Sequence, residues 1–134
     1  MSARDAQAAV EWLAKGDTDL TSAGLLQGIS GPAETVCFLS QQCAEKHLKG
    51  YLARHGASFR KVHDLLELLN ACVLLEGAFA ELVGDCSTLN SFSVGLRYPG
   101  YGVQVTGEDA RQALASAHRV RDLVRKHLGL EPVA

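Results

Sequence analysis

The 134-residue chain carries 13 Lys and Arg against 15 Asp and Glu, a formal net charge of −2, so bulk charge gives no reason to expect a polyanionic partner. Hydrophobic residues make up 47% and aromatics only 6%, which implies a core of Leu, Ala and Val; with just three prolines, that composition suits helices. No apolar run approaches the roughly 20 residues of a membrane span, and Met1-Ser2-Ala3-Arg4-Asp5 lacks the apolar stretch of a signal peptide. A cytoplasmic location without membrane contact is expected, in one domain over residues 1–134 that buries roughly two-thirds of its unfolded surface.

Taken in chain order, Ala6, Ala9, Val10 and Leu13 recur at helical spacing and predict a first helix from about Ala3 to Lys15, stopped by Gly16. Asp17 is then placed to cap a second helix through Leu20, Ala23 and Leu26, ending near Gly28. Ser30-Gly31-Pro32 opens a long third helix, with proline near its start where a missing N–H does no harm. That helix runs to Arg54 or His55 and ends at Gly56. A fourth starts near His63-Asp64, with Leu65, Leu68, Leu69 and Cys72 along one face. Gly77 or Gly84 predicts a break before a short segment around Cys86 to Phe92. Residues 93–105, with Gly95, Pro99, Gly100 and Gly102, form the irregular stretch. Thr106 with Asp109 three positions on resembles a capping box. It starts a last helix to Leu128, striped by Ala110, Ala113, Ala117, Val120, Val124 and Leu128 and ended by Gly129. The fold class is all-α, an up-and-down antiparallel bundle of about five helices.

The four cysteines, Cys37, Cys43, Cys72 and Cys86, show no Cys-x-x-Cys pairing, and buried free thiols are the expected state. Cys43 and His47 lie one helical turn apart, but two ligands without a second pair do not make a metal centre. No metal and no cofactor is expected.

Two constellations could carry chemistry. The third helix interrupts its apolar pattern with Gln41, Gln42 and Glu45, and continues to Lys49; a buried polar group left unpaired costs roughly 1–3 kcal/mol, so each needs a partner. With His63 and Asp64 these residues form a polar seam, read either as an internal network in which Glu45 accepts from His63 or as a nucleotide-binding surface. Arg97 and Tyr98 could join it, since a guanidinium suits phosphate and a tyrosine suits a base face. The second constellation is the basic last helix, where Arg111, Arg119, Arg121, Arg125 and Lys126 outweigh Asp122. Cations in a last turn also complement the helix dipole, which accounts for Arg125 and Lys126 but not for Arg111.

The run Phe38-x-x-Gln41-Gln42-x-Ala44-Glu45-Lys46-x-x-Lys49, followed by His63-Asp64-Leu65 and by Leu96-Arg97-Tyr98-Pro99-Gly100, resembles the HEPN family of small helical domains across nearly the whole chain. Ribonucleolytic members carry an Arg and a His separated by four to six residues, which two protomers bring together in a cleft. Arg121 to His127, with five between, and Arg111 to His118, with six, both match. On a helix, however, six positions put Arg121 and His127 about 120° apart, whereas Arg111, His118, Arg121 and Arg125 share one face. Metal-free RNA cleavage needs a group to take the 2′-hydroxyl proton and a cation for the phosphorane, roles that His and Arg can fill. The resemblance further implies a homodimer, and a partner protein encoded beside a minimal nucleotidyltransferase in a toxin–antitoxin-like pair. The chain has no Gly-Ser followed by Asp-x-Asp and is not itself the transferase. The narrow alanine stripe and the polar seam are further reasons to expect a dimer, and a nucleotide or RNA is the expected ligand. The favoured reading is the partner protein; the alternative is a metal-independent RNA endonuclease.

Overall fold

The computed structural model describes residues 2–93 and 104–132. In order these form α1 (Ala3–Gly28), α2 (Ala33–Arg54), α3 (Leu65–Leu75), a 3₁₀ turn (Gly77–Leu82), α4 (Val83–Asn90) and α5 (Gly107–His127). There is no strand among the described residues. The architecture is the antiparallel bundle expected from the composition. Arg97 and Tyr98 lie outside the described residues.

Capping chemistry sets most of the boundaries. Ser2 and Asp5 exchange hydrogen bonds in a capping box at the start of α1, and Thr106 and Asp109 do the same for α5. Asp64 caps α3 by accepting from the Leu66 N–H, and Asn90 ties that corner to α4 by donating to Asp64 and accepting from the Leu65 N–H. Past the end of α2, Gly56 takes a positive φ of 66°, a left-handed conformation that costs glycine nothing.

Two boundaries differ from the sequence expectation: the short segment expected around Cys86 to Phe92 is α4, Val83–Asn90, entered through the 3₁₀ turn, and the first two expected helices are one. Gly16 does not stop the first helix, and Asp17 does not cap a second; α1 runs unbroken for 26 residues. A mid-helix glycine costs only about 1 kcal/mol relative to alanine, and here its missing side chain admits a neighbour. A Cβ at Gly16 would lie 2.6 Å from His47 Nδ1 and 2.8 Å from Cε1. The long α1–α2 packing, into which the His47 ring fits, outweighs the propensity penalty. Asp17, freed from capping, turns its carboxylate to His47.

α2 is the central element and touches α1, α3, α4 and α5. Thirteen of its 22 residues are buried, so it is covered on nearly all sides rather than along one stripe. Its Leu48 and Leu52 meet Leu65, Leu68 and Leu69 of α3, Phe79 of the 3₁₀ turn and Val120 and Val124 of α5 in the main core. Ala110, Ala113, Ala117, Val120 and Val124 of the stripe are buried inside this chain, and Leu128 is partly buried against the same core. Gln41, Glu45 and Lys49 of the polar seam are buried as well, while His63 and Asp64 at its edge stay exposed, so neither the stripe nor the centre of the seam calls for a second copy to cover it. None of the helices is long and apolar enough to cross a membrane.

Candidate functional site

The seam on α2 is a closed hydrogen-bond network. Gln41, fully buried, donates to Glu45 Oε1 at 3.3 Å and to the His63 carbonyl at 3.2 Å, and its own oxygen accepts from Gln42 at 2.7 Å. Glu45 is 3% exposed and also takes Lys49 Nζ at 3.0 Å and His63 Nδ1 at 2.9 Å. The Lys49 ammonium stands 5.3 Å from the centre of the Trp12 ring, a cation–π contact that ties the network to α1. Helical spacing puts Gln41, Glu45 and Lys49 one above another, so a single stack of side chains joins α1, α2 and the segment leading to α3. Asp64 stands apart, as the α3 cap. With its donors and acceptors matched to each other, the seam reads as a device that fixes helix register.

Cys43 and His47 do not form a metal pair. Cys43 Sγ lies 3.5 Å from His47 Nδ1, yet that nitrogen is 2.8 Å from the Cys43 carbonyl, which can only accept, so Nδ1 carries a proton and offers no lone pair. Burial pushes the Cys43 thiol far up, which withholds the thiolate a metal needs. Among the described residues no group of three potential metal ligands occurs.

The basic face of α5 divides into residues with very different settings. Arg111 is exposed and paired with Glu108 one turn back. Arg119 is bound to Asp85 of α4, which also accepts from Ser116 at 2.8 Å. Arg125 donates to the Glu131 carbonyl at 2.7 and 3.0 Å and so folds the C-terminal turn back. His127 packs its ring 5.5 Å from that of Phe79, with Nδ1 3.8 Å from Glu76. It therefore faces α3 and the 3₁₀ turn, away from Arg121, and Arg111 is engaged by Glu108.

Arg121 and His118 come together instead. They line a groove of about 460 Å³ between α1 and α5, whose other wall is Asp17, Leu20, Thr21, Gly24 and Leu25. Only 9% of the Arg121 side chain is exposed. Its Nε and Nη2 both lie 2.9 Å from a single oxygen of Asp122, and the rest of the guanidinium has no acceptor among the described residues. His118 is held below the usual imidazole range by burial, with Arg121 adding to the effect and Asp122 opposing it. A neutral imidazole beside a nearly buried guanidinium can take a proton while the guanidinium holds an anion. The shared face of His118 and Arg121 is legible in their helical spacing; the contribution of Asp17, near the opposite end of the chain, has no local signal.

Comparison with known proteins agrees with the fold. A search of curated proteins found no match. Two crystal structures superpose well at 28% identity each. One is ST0689, an archaeal HEPN homologue, with a TM-score of 0.73 over 90% of this chain and 97% of that one. The other is TT1696 from Thermus thermophilus, with a TM-score of 0.76 over 88% of this chain and 96% of that one. The family model of the HEPN domain matches residues 9–127, nearly the whole bundle from the first turns of α1 to the last residue of α5. The chain belongs to the HEPN domain family.

Proposed function

We propose that this HEPN protein binds the phosphate backbone of RNA, or a nucleotide, in the α1–α5 groove, as the partner of a minimal nucleotidyltransferase in a toxin–antitoxin-like pair. The observation that carries the ligand is Arg121. One Asp122 oxygen engages only Nε and Nη2, and no Arg121 nitrogen is buried without a partner, so the remaining N–H groups open onto the groove and are free for an incoming acceptor. A phosphate, with several acceptor oxygens, suits the remainder. HEPN domains commonly dimerise, and the exposed Leu25 and Ile29 beside the groove offer an apolar rim for a second copy. A dimer built there would set two grooves next to each other.

A second reading, metal-independent RNA cleavage, draws on His118, which is available as a neutral base in the same groove. One experiment addresses both. Anisotropy titration of a labelled single-stranded RNA should show Arg121→Gln weakening binding at least about tenfold, the size of a lost charge-assisted hydrogen bond. The exposed Arg111→Gln should change it by less than about twofold. Parallel incubation in chelator, read on a gel, reports cleavage; RNA cut by the wild type and spared by His118→Ala would establish the enzyme. Equal effects of the two arginine variants would show that the groove is not the binding site.

A further inference from the structure

The groove that holds Arg121 also contains a carboxylate, an odd companion for an anion site unless the ligand makes use of it. Asp17 enters from α1 with 44% of its side chain exposed. Its orientation is set from behind. His47 is fully buried, with Nδ1 against the Cys43 carbonyl at 2.8 Å and Nε2 against Asp17 Oδ1 at 3.2 Å. The ring packs against Gly16 so closely that a Cβ there would lie 2.6 Å from Nδ1, and its two hydrogen bonds fix its orientation. One Asp17 oxygen is thereby engaged, and Oδ2 meets no donor among the described residues. The His47 hydrogen bond, opposed by burial and helped by the charges of His47, Arg125 and Arg121, keeps the Asp17 carboxyl below its usual range.

An ionised carboxylate accepts hydrogen bonds and never donates them. A group that fits the groove must therefore present an anion to Arg121 and a donor to Asp17. A bare phosphate satisfies the first and is repelled by the second. In RNA the 2′-hydroxyl sits on the carbon next to the one that bears the 3′-phosphate, so one nucleotide supplies both; deoxyribose has no donor there. We infer that Asp17, positioned by His47, accepts a hydrogen bond from a ribose 2′-hydroxyl whose neighbouring phosphate rests on Arg121, so that the groove selects ribose over deoxyribose phosphodiesters. This rests on the phosphate reading of the groove given above.

The test uses the full chain and three labelled oligonucleotides of one sequence: RNA, DNA and 2′-O-methyl RNA. The methylated strand keeps the 2′ oxygen and the ribose pucker but loses the donor. Wild type should bind RNA about tenfold more tightly than either of the others, with the RNA confirmed intact on a gel. Asp17→Asn keeps an oxygen for His47 and replaces the accepting one by an amide donor. It should bring the three strands within about twofold of one another, mainly by strengthening DNA binding as a repulsive charge is removed. His47→Gln should narrow the preference without altering any group that lines the groove. Methylated RNA binding as well as RNA would assign the preference to strand shape or to a base amino group and overturn the inference, as would an RNA preference that survives Asp17→Asn. Equal wild-type binding of all three strands, lost in Arg121→Gln, would remove the role of Asp17 and leave the phosphate site standing. Binding of none would remove both.

Discussion

The same substitution, Gly→Ala, should have opposite effects at two positions of α1 only eight residues apart. At Gly24 a new Cβ would meet nothing within 4 Å, so Gly24→Ala should add up to about 1 kcal/mol through helix propensity alone. At Gly16 the new methyl would fall 2.6 Å from His47 Nδ1 and 3.3 Å from the Cys43 carbonyl oxygen. Overpacking of this kind costs about 1–3 kcal/mol. Moving the ring also strains its bonds to the Cys43 carbonyl and Asp17, and a buried polar group stranded in that way costs about 1–3 kcal/mol more. The propensity gain of about 1 kcal/mol offsets only part of this, and Gly16→Ala should be destabilised by about 3 kcal/mol. Urea titration followed by circular dichroism measures both variants. An unchanged slope with a lower midpoint for Gly16→Ala, and an equal or higher one for Gly24→Ala, is expected. A Gly16→Ala protein as stable as wild type would refute the close packing of His47 against α1.

Other outcomes follow from the same contacts. Glu45→Ala should cost about 3–5 kcal/mol because it leaves Lys49 and Gln41 buried without their acceptor, while Glu45→Leu combined with Lys49→Met should recover most of that loss; a wild-type midpoint for Glu45→Ala would show an exposed side chain. Asp17 has a folded carboxyl held below its unfolded value, so its contribution is complete above about pH 4 and is lost as pH falls through the folded value. Asp17→Asn should therefore be less stable than wild type at pH 7, with the gap closing once pH falls through the folded Asp17 value; a gap undiminished in strong acid would contradict the pairing. Burial pushes the thiols of Cys37, Cys72 and Cys86 up to about 12, and none of the four cysteines should react with a disulfide reagent at pH 8 until urea unfolds the chain; rapid labelling of the native protein would show an open core.

Much of this structure was legible in local chemistry. The Thr106–Asp109 box, the Asp64 cap and the glycine after α2 each act within a few residues, and the helix ends they imply are where they occur. The alanine stripe of α5 likewise declares its buried face by spacing alone. Gly16 misleads because its signal is ambiguous: the same residue ends a helix in solution and admits a ring in a packed pair, and only α2 decides between them. The site is harder for the same reason. Motif spacing groups Arg121 with His127, but rotation about the helix sends His127 to Phe79 and leaves Arg121 with His118. Asp17 and His47 join them through the α1–α2 and α1–α5 packing, which no short window of sequence contains.

The groove itself can be located by nuclear magnetic resonance. With the backbone amides assigned, a ribonucleoside 3′-monophosphate titrated into the wild-type protein should shift the signals of Asp17, Thr21, Gly24, His118 and Arg121, and the shifts should vanish in Arg121→Gln. Shifts centred on Glu108 and Arg111, or on Trp12, Glu45 and Lys49, would contradict the assignment of the ligand to the α1–α5 groove.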